Sequence, residues 1–165
     1  TRHSTLFPYT TLFRSDSNDY IALITRLVIG LVMFPHGAQK LLGWFGGYGF
    51  SGTLNFFTGT LGIPFIISLV VILTESAGSV LLILGFAGRL NSLLLISTMI
   101  GAVATTHFAN GFFMNWFGNQ AGEGFEYHIL YSALALIVFI KGSGMFSIDA
   151  LLQRRSVYKT KLKAA

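Results

Sequence analysis

The chain has 165 residues, 53% of them hydrophobic and only 10% charged, with a formal net charge of +5 and no cysteine. A soluble domain carries about 25% charged residues, so the composition excludes an ordinary soluble protein. It excludes disulfides, thiolate metal sites and thiol redox chemistry as well, and with them the quinone-linked disulfide formers. The positive charge is no nucleic-acid signal: apart from Arg2 and Arg14, most of it lies in one short C-terminal tail.

Residues 1–15 are set aside first. Thr5-Leu6-Phe7-Pro8-Tyr9-Thr10-Thr11-Leu12-Phe13-Arg14-Ser15 reads as the conceptual translation of a sequencing-library adapter, expected to be a disordered artefact. As a signal peptide it is poor, because Pro8 interrupts it and no long apolar region follows a basic start. The natural chain is expected to begin near Asp16.

Four apolar stretches follow, at about 20–42, 64–86, 90–108 and 127–145, each near the roughly 20 residues that a bilayer core requires. Pro64 suits a helix start. The expected fold is an all-α integral membrane four-helix bundle in one domain, 16–152, with a basic cytoplasmic tail at 153–165. Arginine and lysine set its orientation. Arg154, Arg155, Lys159, Lys161 and Lys163 lie in the tail, and Arg89 in the short turn between the second and third spans. The long connections 43–63 and 109–125 have neither residue. Both termini are therefore expected on the cytoplasmic side of a bacterial plasma membrane, and both long loops outside.

Those loops are glycine-rich and aromatic. One contains Trp44, Tyr48 and a short interfacial helix around Leu54-Asn55-Phe56-Phe57; the other contains Phe112, Phe113, Trp116 and Phe117. They read as an aromatic belt at the membrane surface, or as a lid over an apolar pocket. In the third span, Ser97-x-x-x-Gly101-x-x-x-Thr105 is small-residue spacing for close helix packing, expected within the bundle.

Polar residues interrupt the apolar runs. Arg26, His36 and Lys40 fall within an arc of roughly 80° on one helix, a stripe that must face the interior. Glu75 sits near the middle of the second span. An unpaired carboxylate there would protonate or find a cation, and the candidates are Arg26, as a structural ion pair, and Lys40. His107, Glu126 and His128 lie at the outer ends of the third and fourth spans and can converge on His36 and Lys40 with Glu75 beneath. Glu126 and His128 are two apart and diverge on a helix. No metal site is expected, since no His-x-x-His or His-x-x-x-His spacing occurs. A haem would need histidines at matched depth, for which His36 and His107 are the pair. The bland reading of these histidines is interfacial hydrogen bonding.

The ordered set of motifs resembles the DoxX family of small four-span bacterial membrane proteins. It runs through Arg26, His36-Gly37-x-x-Lys40-Leu41, Gly47-Tyr48-Gly49 and Leu61-Gly62-Ile63-Pro64. Glu75-x-x-Gly78, Leu84-Gly85, Arg89, His107 and Gly111-Phe112-Phe113 continue it, and Glu126-Tyr127, Gly142-x-Gly144 and Ser147-Ile148-Asp149 close it. The resemblance implies a plasma-membrane bundle and, loosely, redox biology: some relatives are described as thiosulfate–quinone oxidoreductase subunits, others as membrane partners of oxidative-stress enzymes. Family membership does not fix function.

Three functions compete. The first is a quinone-linked membrane redox subunit. Here His36, Lys40, Glu75, His107, Glu126, Trp44 and Tyr48 line the site, and Glu75, His36 and Lys40 are the candidate catalytic groups. Quinone is then the expected ligand, the lipid bilayer and a redox protein the expected partners. The second is a non-enzymatic scaffold or partner anchor. The third is a small-solute or proton pathway along the same residues.

Overall fold

A computed structural model describes residues 15, 16 and 18–155. Of the stretch 1–15, expected to be disordered, Ser15 is described and corrects that expectation at its own position: it is buried, its N–H donates to Gln153 Oε1 at 2.9 Å and its Oγ accepts the Gly144 N–H at 2.7 Å. Residues 1–14 and the tail lysines Lys159, Lys161 and Lys163 lie outside the described residues. The described residues fold into helices and turns, without strands. Helix α1 is Tyr20–Leu42, α2 is Gly49–Asn55, α3 is Phe65–Leu84, α4 is Gly88–Ala102 and α5 is Glu126–Lys141; a last helix, α6, covers 148–155. A π-helical turn, Phe56–Thr60, extends α2, and a second, Val103–His107, extends α4 towards Asn110.

Local chemistry sets the helix ends. Asp19 caps α1 by accepting the N–H of Ala22 at 2.9 Å, a standard way to satisfy a free amide at a helix start. Gly43 at φ 75 and Gly85 at φ 70 end α1 and α3 in the left-handed conformation that glycine adopts without steric cost. Helix α4 begins after Ala87, and its first amides are capped from a distance. The carboxylate of Asp149 accepts Ala87 N at 2.9 Å and Gly88 N at 3.1 Å.

Helix α1 packs on α3 and α5, and α4 packs on the same two, so four helices close a ring. The core between them is Ile29, Met33, Leu82, Leu95, Met99, Tyr131, Ala135 and Val138. Large apolar side chains also cover the outside: Ile21, Ile24, Val28, Leu31 and Val32 of α1, Phe65, Ile66 and Ile67 of α3, and Leu93 and Ile100 of α4 are exposed. Polar residues are inside instead, among them Arg26, Ser68, Glu75, Ser79 and Ser92. This inversion suits a helix surface in contact with lipid.

Three segments, Tyr20–Leu42, Phe65–Leu84 and Gly88–Asn110, are long and apolar enough to cross a membrane. Helix α5 is shorter, 16 residues, or about 24 Å at 1.5 Å per residue. The expected run of the fourth span to 145 is corrected here. The helix stops at Lys141 because Gly142 turns at φ 87, and the following carbonyls turn inward to bind Arg26.

Candidate polar site in the outer half of the helix ring

The site begins with a close helix crossing. Gly30 and Gly37 of α1 lie against α3: a Cβ on Gly37 would collide with the backbone of Glu75 and Ser76, and one on Gly30 would meet Ser79 O at 3.2 Å. The absence of side chains on α1 lets the two backbones touch, as small residues do in membrane helix pairs. Lys40, one turn beyond Gly37, then reaches Glu75. Its Nζ lies 2.5 Å from Oε2, with the Glu75 side chain 6% exposed and that of Lys40 24%. Pairing is what such a buried carboxylate requires.

Helices α4 and α5 supply the opposite wall. The rings of His107 and His128 lie 4.2 Å apart, Tyr127 is 5.6 Å from His128, and His36 is 6.5 Å from Tyr127. The π turn at Val103–His107 widens the end of α4 where His107 leaves it. His107 Nδ1 contacts the Glu123 carbonyl at 2.8 Å. A carbonyl only accepts, so Nδ1 carries the proton and Nε2 is the acceptor of the neutral ring. Deeper in, Tyr131 donates to Ile29 O at 3.1 Å. Two polar atoms of this wall, Tyr127 OH and His128 Nδ1, are buried without a hydrogen-bond partner among the described residues. His128 is 7% exposed. Buried polar atoms are nearly always paired, so these two set the wall apart from the rest of the interior.

The structure therefore joins Lys40 to Glu75 and sets Tyr127 of α5 between His36 of α1 and His128, with His107 of the α4 extension against His128. The other expected site residues lie elsewhere. Arg26 does not pair with Glu75; this expectation is corrected. It lies 14 residues before Lys40, about 21 Å along the helix, and all five of its N–H groups meet backbone carbonyls. Nε donates to Ser143 at 2.6 Å, Nη1 to Leu82 at 3.0 Å and to Ile83, and Nη2 to Met145 at 3.1 Å and Phe146 at 2.9 Å. Trp44 and Tyr48 stand outside the cluster, Tyr48 81% exposed. Phe113, Trp116 and Phe117 are exposed too, so the loop aromatics face outward rather than closing over the site. Glu126 caps the start of α5 with its amide on Phe112 O at 2.9 Å, and its neighbours Tyr127 and His128 point inward in its place. Among the described residues, no three His, Asp or Glu side chains gather to hold a metal ion.

The expected packing of Ser97, Gly101 and Thr105 within the ring is also corrected. All three are exposed, and a Cβ on Gly101 would meet nothing within 4 Å. Their face of α4 lies opposite the buried Leu95, Thr98 and Met99.

Tyr127 is the residue of this wall that the sequence does not single out as a site. It shares a helix face with Tyr131, four residues on, but its position opposite His36 depends on how α5 packs.

The family model described as DoxX matches residues 21–108. A protein of Bacillus subtilis (strain 168) named "Putative oxidoreductase CatD" is 30% identical over 127 residues, spanning 77% of this chain and 83% of that protein. No solved structure matches the chain.

Proposed function

The chain belongs to the DoxX family of membrane proteins, and from that premise we propose that it is the membrane subunit of a quinone-linked redox system, holding the quinone head group in the outer half of the helix ring. The observation that carries this reading is the pair of orphaned buried atoms, Tyr127 OH and His128 Nδ1, facing His36 across an apolar interior of Ile29, Met33 and Met99. A carbonyl oxygen is the acceptor that a buried phenol and imidazole lack. A pocket that is mostly apolar with a few convergent polar groups suits such a ligand. The related Bacillus protein carries the word oxidoreductase in its name, which supports the class of reaction.

Quinone supplies two-electron, two-proton chemistry; the electrons come from a partner redox protein. The chain's residues bind and manage protons. Tyr127 and His128 donate to the head-group oxygens. Glu75, held as a carboxylate by Lys40, is the base to which His36 passes a proton. His107, beside His128 and bonded to Glu123 O in the loop, connects the cluster to water. A positioned acid or base beside the carrier is what proton-coupled chemistry needs.

Orientation follows the same reading. Arg89, Lys141, Arg154 and Arg155 lie at the end that carries Asp16 and the close of α6, opposite Lys40 and the aromatic loops, and this basic end is cytoplasmic under the positive-inside rule. Helix α5 then forms a fourth crossing of a bacterial plasma membrane.

The test is mass spectrometry of lipid-soluble molecules bound to the purified chain, together with quinone reduction by membranes containing its partner. Co-purified quinone, lost in Tyr127→Phe, supports the reading. No bound quinone and no reductase activity with partners would reject it. The close Lys40–Glu75 pair favours one other reading, a non-enzymatic scaffold in which the pair only fixes helix register. In that case Glu75→Gln lowers abundance while the activity per folded molecule stays the same.

A further inference from the structure

The opposite end of the ring carries a cavity away from the polar site, next to the turn that Arg26 holds. Because the guanidinium takes the carbonyls of Met145 and Phe146, the turn after α5 is pulled inward and Phe146 is held at φ 48. A bulky residue in the left-handed region is uncommon, and the Phe146 side chain is 83% exposed. Helix α6 follows. Ser147, just before it, and its residues Ala150, Leu151 and Arg154 are spaced by three and four, so they share one face. That face, with Met145, Phe146 and Asn18, lines a cavity of about 410 Å³.

We propose that this cavity binds an anionic phospholipid, its phosphate on Arg154 and an acyl chain along Phe146 and Leu151. Three observations select that occupant. The first is position: Tyr20, Leu84 and Ile140, exposed apolar residues at the ends of α1, α3 and α5, carry the lipid-facing surface down to this rim. The second is charge. Arg154 and Arg155 are exposed, while the acids nearest to them are engaged elsewhere: Asp149 with the start of α4 and Ser143, Asp19 with Lys141. Asp16 accepts the Asn18 amide. Basic residues just outside a membrane helix are attracted to anionic headgroups. The third is the mixed wall: Phe146, Leu151 and Leu152 are all exposed. A free phosphate ion has no use for them, whereas a lipid covers them with its chain.

The experiment is native mass spectrometry of the full chain in detergent, titrated with phosphatidylglycerol or with phosphatidylcholine of the same acyl chains. Inorganic phosphate serves as competitor. The chain should retain phosphatidylglycerol in preference to phosphatidylcholine and keep it in the presence of phosphate. Arg154→Gln should weaken retention about fivefold, the value of one basic residue near an anionic surface, and Phe146→Ser should weaken it for both lipids. Both positions are exposed, so the variants should melt like the parent. Equal retention of the two lipids, displacement by inorganic phosphate, or an Arg154→Gln variant that binds like the parent would each overturn the proposal.

Discussion

Lys40 Nζ meets Glu75 Oε2 at 2.5 Å because Gly37, one turn earlier, has no side chain to hold α1 away from the backbone of Glu75. The ion pair and the glycine are one device: the crossing sets the distance and the pair sets the register.

Removing half of the pair should cost more than removing all of it. Lys40→Met leaves a carboxylate in a low-dielectric interior, and breaking a buried pair typically costs about 3 kcal/mol or more. The double change Lys40→Met with Glu75→Gln should recover most of that loss. Unfolding of the three proteins in detergent, read as a double-mutant cycle, measures the coupling; additive losses would show that the pair contributes nothing to stability.

Gly37→Ala tests the crossing itself. The added methyl cannot be accommodated by a side-chain rotation, since what it meets is the Glu75 and Ser76 backbone. Overpacking of this kind costs about 1–3 kcal/mol, and moving α1 outward also draws Lys40 from Glu75. Gly101→Ala, where a Cβ meets nothing, should leave the melting temperature unchanged and serves as the control.

Arg26→Lys keeps the charge but not the fork. Arg26 is 1% exposed and serves five carbonyls from α3 and the turn after α5, whereas an ammonium has three donors. At least two buried carbonyls lose their partner, at about 1–3 kcal/mol each. The variant should accumulate poorly in membranes and melt earlier. Wild-type stability in Arg26→Lys would mean that the carbonyl cage is dispensable.

Tyr127→Phe should behave in the opposite way. Its hydroxyl is buried without a partner, so deleting it removes a desolvation penalty and the ligand-free protein should be as stable as the parent or more so. Quinone affinity should fall about tenfold if that hydroxyl donates to the head group, a loss consistent with one hydrogen bond. A loss of stability without any change in binding would assign Tyr127 to the fold alone.

Acid should loosen the end of the ring that holds Asp19 and Lys141. Lys141 Nζ lies 2.6 Å from Asp19 Oδ2. That bond, followed by the one from the Ala22 amide, holds the Asp19 carboxyl below its ordinary 3.8. A depressed carboxylate contributes stability above its unfolded value and loses it as pH falls through the folded one. Stability should therefore decline below about pH 4 through this group. Asp19→Asn, an equally good helix cap, should lack that part of the decline. Identical acid profiles for parent and variant would show that the pair is screened by solvent.

Much of the molecule is legible in the order of its residues. Hydrophobic length placed α1 at 20–42, as observed, and α3 and the apolar segment Gly88–Asn110, α4 with its π and 3-10 extensions, within two residues of their ends, because a bilayer demands long apolar runs whatever they pack against. The polar stripe of Arg26, His36 and Lys40 was legible for the same reason: ionisable groups among leucines must have an interior partner. The partners themselves were not legible. Glu75 had two cations on one stripe, and only the crossing at Gly37 decided for Lys40. Arg26 found carbonyls instead of a carboxylate, and backbone acceptors leave no mark in a sequence, since every residue carries one. The same limit applies to Ser97, Gly101 and Thr105, whose spacing permits close packing without saying on which side. Composition and periodicity thus determined that this is a helical membrane protein with a polar interior. Helix rotation and depth of contact, which arise only when four surfaces are fitted together, decided which of its polar groups meet and left Tyr127 and His128 facing an unfilled need.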